Sequence, residues 1–137
     1  MDRLEKMLML HEGVKLKPYF CTANRLTIGV GRNIDDKGIT PSEAVYLMRN
    51  DIAEVQEGLA RALPWFTALD EVRRSVLIDM AFNLGVKGLL SFKKTLTHIE
   101  AKRYTDASAE MLLSKWAQQV GSRARRLSTM MKTGEWP

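Results

Sequence analysis

Apolar residues recur at steps of three and four in the first dozen positions, where Leu4, Met7, Leu8 and His11 would share one side of a short helix near 2–11 that Gly13 can end. From Val14 to about Ile34 the pattern changes. Pro18, Thr22-Ala23-Asn24, the alternating run Leu26-Thr27-Ile28-Gly29-Val30-Gly31 and Asn33 suit short strands joined by tight turns, so a small antiparallel sheet is expected. Thr40-Pro41-Ser42-Glu43 reads as a helix start, with Thr40 as N-cap, Pro41 at the first helical position and Glu43 completing a capping box. Val45, Met48, Ile52, Val55, Leu59 and Leu63 follow as one stripe up to Pro64, which predicts a long amphipathic helix.

A second helix is predicted from Thr67 through Leu84, ending at Gly85, and its stretch Val76–Phe82 is apolar nearly all round, as in a helix buried within a lobe. Further helices are expected at about 91–100, 106–118 and 121–131, divided by Lys102-Arg103-Tyr104-Thr105 and Gly121-Ser122. The class is α+β, with one domain over 1–137 in two lobes. The small β lobe is expected at 12–39, a connecting helix at 40–64, and the helical lobe from 1–11 with 65–137.

At 137 residues, 45% hydrophobic and 27% charged, the chain has the make-up of a folded domain with a core. Its single cysteine excludes an internal disulfide. The first residues interleave Asp2, Arg3, Glu5 and Lys6 with apolar ones, so neither a signal peptide nor stable membrane insertion is expected. The net charge is +5, and the stretch from Lys115 to Lys132 holds Lys115, Arg123, Arg125, Arg126 and Lys132 without an acid. That cluster reads either as attraction to a polyanion or as a solvated helix face. It lacks the base-reading pattern and interleaved aromatics of a nucleic-acid site, so no nucleic-acid partner is expected. His11 and His98 have no partners at ligand spacing, and neither a metal nor a cofactor is indicated. Trp65, Phe66, Trp116 and Trp136 are expected in the core.

The chemistry concentrates in HEGVKLKPYFCTANRLTIGVGR, where Glu12, Cys21 and Thr27 are separated by eight and then five residues. A carboxylic acid held partly out of water can keep a proton to donate, a hydroxyl on a strand can orient water, and glycines such as Gly29 and Gly31 let backbone approach a ligand. The string resembles the active-site region of the phage-type lysozymes, glycoside hydrolase family 24, in which the middle position is usually Asp. The similarity continues through Asp70–Gly85, through Phe92 with Thr95-Leu96, and through Ser114-Lys115-Trp116, Ser122–Arg126 and Thr133–Trp136. Arg32 stands where many relatives carry His.

The resemblance implies a lysozyme fold with a cleft between the lobes. It implies an endolysin that hydrolyses the β-1,4 bond between N-acetylmuramic acid and N-acetylglucosamine of peptidoglycan, a monomer stored in the host cytoplasm and released to the wall by a holin. By the same resemblance Glu12 is the acid and Thr27 holds the attacking water. Gly31, Phe82, Asn83 and Thr95 contact substrate, and Arg123 pairs with Glu12. Cys21 as the second group could assist water, attack the sugar carbon, or merely fill the position. A lytic transglycosylase and a weakened basic wall-binding module are the competing readings.

Overall fold

The computed structural model describes residues 1–137, and its contacts group them into two units, Met1–Leu47 and Met48–Pro137. It has the expected α+β class, with eight α-helices and one three-stranded antiparallel sheet.

In the first unit, α1 (Arg3–Glu12) begins at Asp2, whose carboxylate accepts the Glu5 N–H at 2.8 Å, and stops at Gly13, whose N–H reaches the Met9 carbonyl at 2.9 Å. Strands β1 (Lys15–Phe20), β2 (Leu26–Gly29) and β3 (Arg32–Asn33) lie side by side in that order. Tyr19 pairs with Thr27 and Thr27 with Asn33, which puts Thr27 in the middle of the sheet. The β1–β2 ladder is irregular between Lys15 and Tyr19. That stretch holds Pro18, which has no N–H to give and is tolerated because β1 is an edge strand. Thr27 is the only fully buried side chain of the unit, so the sheet has no apolar core of its own.

Polar side chains do the fastening instead. At the start of α2 (Pro41–Ala62), Glu43 accepts the Thr40 N–H at 2.8 Å while the Thr40 hydroxyl accepts the Glu43 N–H at 3.1 Å, which is the expected capping box. The same carboxylate receives both prongs of Arg32, Nη1 on Oε1 at 2.9 Å and Nη2 on Oε2 at 2.7 Å. Arg32 Nη1 also donates to the Gly38 carbonyl at 3.0 Å. One glutamate therefore starts a helix and ties the last strand to it.

In the second unit the apolar stripe of α2 continues, with Leu59 fully buried and Ile52 and Val55 partly so. The helix expected from Thr67 starts later, as α3 (Glu71–Leu84), after a 3₁₀ turn at Phe66–Ala68. Leu69 and Asp70 are extended, and the Asp70 carboxylate accepts the Arg73 N–H at 3.1 Å, supplying the cap that sets the start. The short helix α4 (Val86–Leu90) has no signature in the sequence pattern, and α5 (Lys93–Glu100) follows it. The single helix expected over 106–118 is two, α6 (Tyr104–Leu113) and α7 (Lys115–Val120). Ser114 breaks it by leaving helical backbone at φ −78° and ψ 157° and capping α7 through a bond from the Ala117 N–H at 3.1 Å. Helix α8 (Ser122–Thr133) ends at Gly134.

Val76, Leu77 and Met80 of α3 are sealed from solvent together with Leu59, Leu89, Ile99, Met111 and Met131. Phe66 and Trp116 join this core and Trp65 is half-buried, whereas Trp136, expected inside, is 57% exposed because it lies past the end of α8. Arg73 fixes the end of that helix. Its Nε donates to the Met131 carbonyl at 2.7 Å and Nη2 to the Lys132 carbonyl at 3.0 Å, and its guanidinium stacks 3.6 Å from the Tyr104 ring centre. Ser108 and Ser128 exchange buried hydrogen bonds between α6 and α8, each hydroxyl donating to the other's carbonyl at 2.9 and 3.1 Å. No helix is long and apolar enough to cross a membrane.

The Arg32 guanidinium, followed by the capping N–H of Thr40, holds the Glu43 carboxyl down at about 2. Because the folded value lies below the ordinary one of about 4.3, the bond stabilises fully above that value and is lost as pH falls through about 2. Acid titration of thermal stability is expected to show Glu43→Gln melting earlier than the parent at pH 7 and the two curves converging near pH 2, whereas a constant gap at all pH values would contradict the coupling.

Candidate active site

The residues singled out by the motif and by the resemblance fall into both units. In the first unit Glu12 is the last residue of α1, so its position is fixed by the Gly13 stop immediately behind it. Its exposed side chain lies over Gly31 in the β2–β3 connection, close enough that a Cβ added there would stand 2.7 Å from Glu12 Oε2. Gly31 has a φ of 68°, which L side chains avoid. Glycine is therefore needed at this position twice over, for the turn and for the acid.

Cys21 opens the tight connection between β1 and β2. Its N–H donates to the Arg25 carbonyl at 3.0 Å and its carbonyl accepts the Asn24 N–H at 2.8 Å, with Asn24 in left-handed backbone at φ 58°. The half-buried thiol is held below its ordinary pKa by the backbone N–H of Arg25, then by that of Ala23 and by the Thr27 hydroxyl, against a smaller opposing effect of burial. Thr27, buried at the centre of the sheet, directs its one hydroxyl proton to the Arg25 carbonyl at 2.9 Å, and must turn it toward the sulfur to favour the thiolate. Thr27 and Cys21 thus meet around Arg25, on a strand that cannot rotate without breaking both ladders. This corner offers a thiol inclined to ionise beside a fixed hydroxyl, and the Glu12 carboxylate lies on Gly31 in the same unit.

The second unit holds the other four. Phe82 is 45% exposed on α3 and lines a groove of about 610 Å³ together with Ile52, Ile78, Leu127, Met130 and Trp136. Asn83 is not a free polar group, because its Oδ1 accepts the Trp116 indole N–H at 2.9 Å. Thr95 is buried in α5 and lines a second depression of about 470 Å³ with Phe92, Lys93, Lys94 and Trp116, the two rings meeting edge to face at 6.0 Å. Arg123, which the resemblance brings to Glu12, is engaged within its own unit by Asp79. Its Nε donates to Asp79 Oδ1 at 2.8 Å and its Nη2 to the Asp79 carbonyl at 3.2 Å. Asp79 was legible as the lone polar residue of Val76–Phe82, since a carboxylate in an apolar run needs a partner. The N–H groups of Ala23 and Arg25 carry no such signal.

Replacing Gly31 by Ala is expected to cost about 1–2 kcal/mol from backbone strain alone and to push the Glu12 carboxylate aside. Thermal melting with a crystal structure of the variant checks both. For Cys21, the alkylation rate by iodoacetamide should rise to its plateau at a lower pH than for a free thiol, and Thr27→Val should move that midpoint upward. An unmoved midpoint would remove the hydroxyl from the account.

The phage lysozyme family model matches residues 9–132. Probable T4-type lysozyme 1 of Dictyostelium discoideum is 29% identical over an alignment covering 96% of this chain and 94% of that protein. The endolysin of Acyrthosiphon pisum secondary endosymbiont phage 1 is 32% identical over 83% of this chain and 79% of its own length. The pre-baseplate central spike protein Gp5 of Enterobacteria phage T4 is 28% identical over 96% of this chain but only 28% of that protein. With the match extending over nearly the whole chain, the chain belongs to the phage lysozyme family, and its activity is that of a lysozyme, the breakdown of peptidoglycan.

Proposed function

We propose that this lysozyme is an endolysin-type muramidase that hydrolyses the β-1,4 bond between N-acetylmuramic acid and N-acetylglucosamine, with Glu12 and Cys21 as its two catalytic groups. What supports this reading is the gathering in one unit of the Glu12 carboxylate over Gly31, Cys21 at the turn after β1, and Thr27 fixed in the middle of the sheet. Glu12 gives its proton to the bridging oxygen as the bond to the sugar carbon breaks. A water molecule held by Thr27 attacks that carbon, and its proton passes to the Cys21 sulfur, which at this site takes the place of the carboxylate found in most relatives. Gly31 allows the glycan to approach the backbone beside the acid. In this reading the protein acts as a monomer, kept in the host cytoplasm and admitted to the wall by a holin; its similarity to an endolysin supports only the action on the wall.

A second reading has one observation in its favour. The Thr27 hydroxyl is already spent on the Arg25 carbonyl. If it does not turn to water, the sugar's own 6-hydroxyl attacks and the product is a 1,6-anhydro sugar, as from a lytic transglycosylase. Mass spectrometry of digested wall separates the two by one water.

The test is clearance of outer-membrane-permeabilised Gram-negative cells by the parent protein, Glu12→Gln, Cys21→Ser and Cys21→Asp. Loss of about 10²–10⁴-fold is expected for the first two variants, the range of a general acid or base, with activity kept by Cys21→Asp. Equal clearance by parent and Cys21→Ser would sink the role of the thiol, and an inactive parent revived by Cys21→Asp would show sulfur to be disabling.

A further inference from the structure

Helix α8 has two sides with nothing in common. Ala124, Leu127, Ser128, Met130 and Met131 are buried, and the outward positions are Ser122, Arg125, Arg126, Thr129, Lys132 and Thr133. The outward face is therefore three cations and three hydroxyls, with no acid and no apolar residue. None of Arg125, Arg126 or Lys132 takes part in an ion pair or a side-chain hydrogen bond. Arg123 on the same helix is neutralised by Asp79 and Arg73 by Asp70. At 1.5 Å per residue, Arg125 and Lys132 are spaced about 10 Å along the axis, with Thr129 between them.

We propose that this face of α8 is a second, non-catalytic binding surface for peptidoglycan, which grips the carboxylates of its peptide stems while the glycan is cut elsewhere on the enzyme. Three alternatives are less well served by the same residues. A single-stranded nucleic acid would want aromatic rings interleaved with the cations; the outward positions of α8 hold none, and Phe82 and Trp136 stand only at its edge, in the groove that Arg126 also lines. A bilayer would want an apolar flank to insert, but the apolar side of α8 is spent on the core. A folded acidic protein would want an apolar centre within the charged rim, also missing here. A hydrated mesh of carboxylates needs only unpaired cations and hydroxyls on a rigid support. The proposal rests on peptidoglycan being the substrate and is independent of the roles given to Glu12 and Cys21.

The experiment measures pelleting with purified sacculi in the Glu12→Gln background, so that binding is read without digestion, with and without Arg125→Gln, Arg126→Gln and Lys132→Gln combined. Affinity at low ionic strength is expected to fall at least about tenfold in the triple variant and to lose most of its salt dependence. Sacculi whose carboxylates have been amidated should bind the unsubstituted face no better than the triple variant binds native sacculi. In the active background Arg125→Gln with Lys132→Gln, which leaves Arg126 in the groove beside Phe82, should cleave a short uncharged chitooligosaccharide at the parent's rate, which shows that fold and catalytic groups are intact. Unchanged sacculus affinity in the triple variant, or undiminished binding to amidated sacculi, would overturn the proposal. So would tighter binding of the parent to DNA than to sacculi at the same salt concentration.

Discussion

The small sheet depends on one ion pair. Three strands of six, four and two residues are too few to hold themselves together, and the unit buries a single side chain fully. What fixes β3 is the fork of Arg32 on Glu43, which binds the strand to the start of α2 and, through the Gly38 carbonyl, gathers the loop between them. Arginine suits this position better than another cation would. A planar guanidinium reaches both carboxylate oxygens, which an imidazole cannot do. Since β2 is held between β1 and β3, the setting of Thr27 follows from this pair as well.

The second unit is organised in the opposite manner. Its helices enclose an apolar centre built around α3, and its polar contacts are terminal fittings rather than the main support. Arg73 satisfies two carbonyls at the end of α8, where orphan acceptors and the negative end of the helix dipole both favour a cation. The hydroxyl exchange between Ser108 and Ser128 permits close approach of α6 and α8 without leaving buried polar atoms unpaired. The two units therefore respond differently to solvent. Salt and acid act chiefly on the polar fastening of the first, and temperature and denaturant on the apolar core of the second.

Elements with strong local grammar were legible in the sequence. The capping box at Thr40 and Glu43, the stripe of α2 and the alternation around Thr27 all form as the pattern predicts, because each depends on neighbours within a few residues. Breaks were harder to read. Ser114 divides α6 from α7 through its own side chain, a choice between helix interior and cap that composition leaves balanced. Trp136 illustrates a different limit, since hydrophobicity says what would gain from burial but not whether the chain has passed the end of the core. In the candidate site, the motif drew attention to Glu12, Cys21 and Thr27, whereas the N–H groups that act on Cys21 belong to Ala23 and Arg25, whose side chains say nothing about them.

The turn that begins at Cys21 is closed entirely by main-chain atoms: its N–H meets the Arg25 carbonyl and its carbonyl meets the Asn24 N–H. The backbone path of this turn is therefore set without the side chain at position 21, so an exchange there can change the chemistry offered at the turn while leaving its course unaltered.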